Sequence, residues 1–226
     1  MSGSPVESTQ DLRLIAAAEA GEDLGQRLEQ LNAIGASLSA ERHINRLLES
    51  ILAAAKTITR ADGGTLYRVT EEKTLRFEIV RTTSLEYYLG GTTGNPVPFY
   101  PIHLLGKDGK PNHSMVAAYA ALTGETVNIP DAYTAEGFDF SGTRNFDKKT
   151  GYRSKSFLTV PMKNHENEII GVLQLINAAD PRTGEIVAFS PSDQRLAESL
   201  ARRRPSRSPT GCSSSSWRSC SSRSST

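Results

Sequence analysis

The residues with most chemistry to offer lie in the second half of the chain. Asn112-His113-Ser114 stands just ahead of an apolar run, Met115 to Leu122, that reads as a helix. Free amides at a helix start attract phosphate or carboxylate. The same residues also suit a plain N-cap, with Asn112 or Ser114 accepting an amide. Phe138 and Asp139 fall in a long polar and aromatic segment. There a ring can stack on a purine and a carboxylate can accept from its amino edge, or the segment closes on its own core. Asn128, Asp131 and Thr150 suit the turn chemistry that would shape such a segment. Ser156 opens an alternating stretch and either faces a pocket or is an ordinary strand serine. Gln174 interrupts an apolar arm and needs a partner, which is a ligand, backbone or water.

These types bind; they do not form a reaction centre. His43, His103, His113 and His165 are scattered, with no pair at metal-ligand spacing. No serine sits in a G-x-S-x-G setting, the acids form no catalytic pair, and no Gly-rich phosphate loop occurs. The expectation is a non-enzymatic domain without a metal, whose partner is a small molecule.

Composition narrows the setting. No apolar run approaches membrane-spanning length, and MSGSPVESTQ lacks the basic-then-apolar pattern of a secretory signal. Residues 201–226 hold six Arg and no acid; the other 20 basic and 25 acidic residues give the body a net charge of −5. A body of that sign is a poor nucleic-acid binder. Cys212 and Cys220 both lie in the tail, so the body has neither disulfide nor thiolate site. The expected compartment is the cytoplasm.

The elements that must position the site centre on a hairpin, Ser154 to Asn177. Ser156, Leu158, Val160 and Met162 share one face of its first arm; Phe157, Thr159 and Pro161 share the other. Its second arm is apolar from Ile169 to Ile176 except for Gly171 and Gln174, and Asn164 to Glu168 is the loop between. Before it come two helices. Leu24, Leu28, Leu31, Ile34 and Leu38 mark one; Ile44, Leu47, Leu48, Ile51, Leu52, Ala55 and Ile58 mark the other, with Ser39 as its cap. Gly63-Gly64 is expected to end that second helix. Strands follow at Leu66–Val69, Leu75–Val80, Pro98–Leu105 and Thr126–Ile129, then a lid from Pro130 to Arg153 with a short helix near Thr143–Lys149. A turn at Ala179–Ile186 precedes a last helix after Phe189. The order predicts an α+β sandwich, an antiparallel sheet of about six strands flanked by helices. The lid would roof that sheet and leave room for a metabolite.

At the lid and hairpin the chain resembles GAF domains, of the type found in cyclic-nucleotide phosphodiesterases, adenylate cyclases and bacterial signalling proteins. The likeness rests on TGETVNIPDAYTAEGFDFSGTRNFDKKTGYRSKSFLTVPMKN, then IIGVLQLIN, then FSPSD, and spans roughly residues 25–200. Nucleotide-binding members often carry Asn-Lys, then Phe, then three residues and Asp-Glu. Here Asn177, Phe189 and Asp193 keep their places, while Ala178 stands for the Lys and Gln194 for the Glu. In the family the Lys–Asp pair ties the neighbourhood of the lid to the last helix.

The resemblance implies a GAF-like sensory domain over 23–200, after a flexible N-terminus of 1–22 and before a Ser/Arg tail of 201–226. It implies a regulatory module that senses a small molecule, such as a cyclic nucleotide, and signals through flanking helices that pair in a homodimer. A ligand-free dimerisation scaffold is the alternative. The tail ARRRPSRSPTGCSSSSWRSCSSRSST adds a third reading. Shifted by one base, its codons permit an amphipathic helix with heptad-like leucines that continues from Ser192. The tail then reads as a frameshift product. The shifted helix resembles the linker ahead of HD-GYP-type metal-dependent phosphohydrolase domains, which would make the chain the sensory fragment of such an enzyme.

Overall fold

The computed structural model describes Glu29 and residues 43–202. The Leu24–Leu38 stripe, the Ser39 cap, the 1–22 segment and the tail beyond Arg202 lie outside the described residues.

Helix α1 spans Ile44–Thr59. Its apolar positions recur at helical spacing, so Leu47, Ile51, Leu52, Ala55 and Ile58 form one buried face. Burying each of the larger ones is worth about 1.5–3 kcal/mol. The helix ends one turn before the expected glycines. Arg60 takes the left-handed conformation, φ 55°, and its N–H bonds the carbonyls of Lys56 and Thr57. Gly63 and Gly64 instead lie inside strand β1, Ala61–Val69. Gly64 is needed there because a Cβ would come within 2.7 Å of Leu52 Cδ1. The glycine marks where helix and sheet approach, not where the helix stops.

Seven more strands follow. They are β2 Thr74–Thr82, β3 Tyr87–Gly90, β4 Ile102–His103, β5 Val127–Ile129, β6 Phe157–Lys163, β7 Ile169–Ala179 and β8 Ile186–Val187. The sheet runs β3-β2-β1-β7-β6-β5, with β4 on β2 and β8 on β7, and every pairing is antiparallel. The expected α+β architecture is therefore present, with the hairpin β6–β7 central. Three local expectations change. The Pro98–Leu105 strand shrinks to Ile102–His103, because Pro98 and Pro101 have no N–H to give a ladder. Two strands went unforeseen, β3 on an edge and β8 within the Ala179–Ile186 turn region, both too short for periodicity to reveal.

Helices cover both faces. On one, α1 and α4 (Pro191–Ala201) pack with Leu66, Ile79, Leu158, Val160, Leu173 and Leu175 into the main core. Helix α4 opens with a capping box: Ser190 N–H donates to Asp193 Oδ2 at 2.8 Å and Asp193 N–H to Ser190 Oγ at 3.1 Å. On the other face, α2 (Val116–Thr123) lays its alanines on Tyr67, Leu75 and Val172. Small side chains let that helix lie close to the sheet. Next to it, the Pro130–Arg153 segment carries α3 (Ser141–Thr150).

Candidate functional site

Strand register builds the floor beneath that segment. Residues directly opposite in an antiparallel ladder share a face. Thr159 faces Gln174, Gln174 faces Thr65, and Thr65 faces Val80. This puts a polar row, Thr159–Gln174–Thr65, across the middle of an otherwise apolar surface, all of it buried. Tyr67 Oη donates to Gln174 Oε1 at 3.0 Å, and Gln174 Nε2 donates to Thr159 Oγ1 at 3.1 Å. Gln174 is thus held by two side chains. Burial pushes the Tyr67 phenol well above the ordinary tyrosine range, so the ring stays a donor at neutral pH.

Aromatic rings rise from this floor. Tyr67 contacts Phe77, Phe77 contacts Phe99, and Phe99 meets Phe146 of α3, with ring centroids 4.7, 5.3 and 6.4 Å apart. Tyr87 of β3 closes the series on Phe146 at 6.1 Å. The room expected beneath the roof is therefore crossed by the protein's own rings. A cavity of about 570 Å³ does occur, but on the opposite side of the sheet, between α1 and the β2–β3 edge.

The roof is fixed at both ends. Near its start, Ala132 N–H donates to Lys155 O at 2.8 Å; part-way along, Asp139 N–H donates to Ser114 O at 2.7 Å, and His113, Tyr119 and Phe138 form successive edge-to-face pairs at 5.5 Å. At its end, buried Asp147 accepts from Tyr133 Oη, Ser154 N–H and Ser154 Oγ at 2.7–2.8 Å. Tyr133 also lies under Arg153, whose guanidinium is 4.3 Å from the ring centre. Asn177, in the left-handed region at φ 59°, clamps the segment to β7. Its Oδ1 accepts from Lys155 and Ser156 N–H, and its Nδ2 donates to Arg153 O. Tyr152 Oη donates to Asp62 Oδ2 at 2.6 Å, reaching back to the start of β1.

The structure gathers some of the sequence-selected residues and separates others. His113, Ser114, Phe138 and Asp139 meet where α2 joins the roof. Asn112 is beside them, but its Nδ2 donates to His103 O and its Oδ1 accepts from Ser114 Oγ. Neither residue caps α2; the N-cap is Met115, with no side-chain bond. Asp131 Oδ1 accepts Tyr133 N–H, and Thr150 Oγ1 donates to Phe146 O, so both shape turns of the roof. Asn128 pairs with Leu158, on the face covered by α1 and α4, and donates to Phe189 O at 3.1 Å. Ser156 is fully buried and accepts Ala178 N–H. Those two are away from the floor. Gln174 alone of the selected set is in it. Reading β1 with the same alternation used for β6 would have added Thr65 and Tyr67; nothing local in the sequence flags Phe99 or Phe146 as their neighbours.

One substitution in the C-terminal motif is answered in space. Ala178 is buried and cannot reach Asp193, but Arg60 does: its Nη2 is 3.8 Å from Asp193 Oδ1, and its Nε donates to Ala179 O at 3.3 Å. The cation that joins β7 to the last helix comes from the end of α1.

The family model described as "GAF domain" matches residues 43–203. The chain belongs to the GAF domain family. Among curated relatives, a stretch of 83 residues is 42% identical to the dual 3',5'-cyclic-AMP and -GMP phosphodiesterase 11A of Takifugu rubripes, covering 37% of this chain and 8% of that protein. A stretch of 84 residues is 40% identical to phosphodiesterase 11, also dual, of Drosophila melanogaster, covering 37% of this chain and 5% of that one. The chain thus spans under a tenth of the length of either. Among solved structures, the GAF domain of a Coxiella burnetii phosphoenolpyruvate-protein phosphotransferase superposes with TM-score 0.57 at 14% identity, over 79% of this chain and 89% of that one. Free methionine-R-sulfoxide reductase of Neisseria meningitidis, solved with its substrate, gives 0.54 at 17% identity, over 79% and 85%. At those identities the likeness is one of fold. The GAF fold accounts for both helical layers, the central hairpin and the roof; no helix among the described residues is long and apolar enough to cross a membrane.

Proposed function

We propose that this GAF domain is a regulatory sensor whose ligand, a cyclic nucleotide or a similar planar molecule, sits between the sheet and the Pro130–Arg153 roof. The observation that carries the reading is the buried Thr159–Gln174–Tyr67 network, from which a series of tilted and edge-on rings leads through Phe77 and Phe99 to Phe146 of the roof. Its amide and hydroxyls offer both donors and acceptors to a heterocycle edge, and the rings of Phe77, Phe99 and Phe146 offer faces to stack on. The ligand replaces ring–ring contacts, so binding and roof movement are one event. The partial likeness to two cyclic-nucleotide phosphodiesterases supports this class.

The signal passes through the helices on the far face. Helices α1 and α4 pack in one core, and the reading extends them into a cytoplasmic homodimer that presents the change to an output domain, such as an HD-type phosphohydrolase. The ligand must prefer one helix arrangement, or nothing is transmitted.

The test is thermal denaturation and calorimetry of the full chain with cGMP and with cAMP. A saturable rise in melting temperature is expected with at least one, and Gln174→Leu should abolish it while leaving the free protein folded. No response to either nucleotide at about 1 mM, a concentration that detects even weak binding, would favour the second reading. That reading is a dimerisation scaffold whose pocket is closed by its own aromatics, and the Phe77–Phe99–Phe146 series is the observation in its favour.

A further inference from the structure

The 570 Å³ cleft on the other side of the sheet has chemistry of its own. Glu49, Ala53 and Lys56 line it at helical spacing on α1; Arg81 lines it from β2, Thr83 from just after β2, Tyr88 from β3, and Thr92 and Thr93 from the loop after β3. Its acid is already matched. Glu49 Oε1 accepts from Arg81 Nη2 at 2.7 Å and from Thr92 N–H at 2.8 Å, and its Oε2 accepts from Thr92 Oγ1 at 2.7 Å. Arg81 also donates to Leu89 O.

Lys56 is different. It is half-buried, its Nζ donates to Thr83 Oγ1 at 2.9 Å, and it forms no ion pair among the described residues. Asp62 is close enough to act through charge, yet its oxygens are taken up by Ser84 N–H, Ser84 Oγ and Tyr152 Oη. Burial and the neighbouring Arg81 both disfavour the ammonium, pulling its pKa below the ordinary lysine value. Lys56 therefore keeps two N–H donors for that space, beside a Glu49–Arg81 pair that is already matched, while the charge of Asp62 favours its ammonium from the side.

We propose that this cleft is a second ligand site, separate from the roof, which takes a small oxyanion-bearing molecule, a phosphate or a carboxylate. Lys56 Nζ supplies the charge and Thr83 the adjoining hydroxyl. Tyr88, nearly half exposed, gives a flat wall to the body of the molecule. The site is independent of whether a nucleotide binds beneath the roof.

The experiment is calorimetric titration of the full chain with inorganic phosphate and, in a separate arm, with acetate, at constant ionic strength held with chloride. Saturable binding in one arm is expected, and the tighter arm assigns phosphate or carboxylate. Lys56→Met should weaken it about tenfold or more, the loss of one charge-assisted bond. Thr83→Val should weaken it by less, and it keeps the test open should the lysine variant fold poorly. Any response to cGMP beneath the roof should survive Lys56→Met. The proposal is overturned if neither ion saturates by about 50 mM, or if folded Lys56→Met binds as the parent does.

Discussion

Tyr67 and Tyr152 show how a single phenol reports its surroundings. Both are pushed well above the ordinary tyrosine pKa of about 10. Burial is the main cause for each, and for Tyr152 the bond it donates to Asp62 adds to it. A phenol that holds its proton more tightly when folded contributes stability that is complete below the unfolded value and declines as pH rises through it. Unfolding free energy should therefore fall above about pH 10. In an ultraviolet titration, Tyr67 and Tyr152 should resist ionisation until the protein unfolds, and Tyr119 and Tyr133, which donate to Glu125 and Asp147, should also ionise later than the other three of the seven. If all seven ionised together near the ordinary value with the fold intact, the burial of Tyr67 and Tyr152 would be wrong. Gln174 belongs to the same scale. Its interruption of an apolar arm was visible in the chain, but its partners are Tyr67 and Thr159, one on a different strand more than a hundred residues away. No local pattern names such a pair.

At the scale of elements, the roof depends on Asp147. That buried carboxylate holds Tyr133, 14 residues before it, and both donors of Ser154 after it. Asp147→Ala leaves those donors facing an empty position and should cost about 2–4 kcal/mol. The loss should be local. Amide exchange should accelerate across residues 131–153 while β1, β6 and β7 keep their protection. Uniform acceleration, or none, would contradict the assignment. The elements themselves were legible where the pattern was long: α1, both arms of the hairpin and α4 were plain. Helix α3 was placed within two residues at each end. The short edge strands were not, since a strand such as β8 carries too few residues to show alternation. Nor was the stop of α1, because a glycine pair resembles a helix end whether it caps a helix or lets Leu52 settle against a strand.

For the whole molecule, the described core runs to the end of α4. Leu196, Ala197, Leu200 and Ala201 are the buried residues of α4's inner face, and all precede Arg202. A chain ended at Arg202 should melt within about 2 °C of the full chain; a large loss would mean that residues 203–226 contribute to the fold. The α+β sandwich could be read from the order of elements. The site could be read only in outline, since strand alternation assigns faces but says little about which loops cross above them. That is why the sequence predicted an enclosure, whereas the rings of Phe77, Phe99 and Phe146 run across it.

The bond from Tyr152 to Asp62 gives this arrangement a mechanical meaning. Asp62 lies two residues beyond Arg60, which terminates α1 and also reaches the first turn of α4 through Asp193. The trailing edge of the roof is thus tied to the joint of the two helices as well as to β7 through Asn177. If the proposed sensor reading holds, Asp62→Asn should weaken that tether and leave cyclic-nucleotide binding by calorimetry intact while reducing the displacement of α1 and α4 that binding brings.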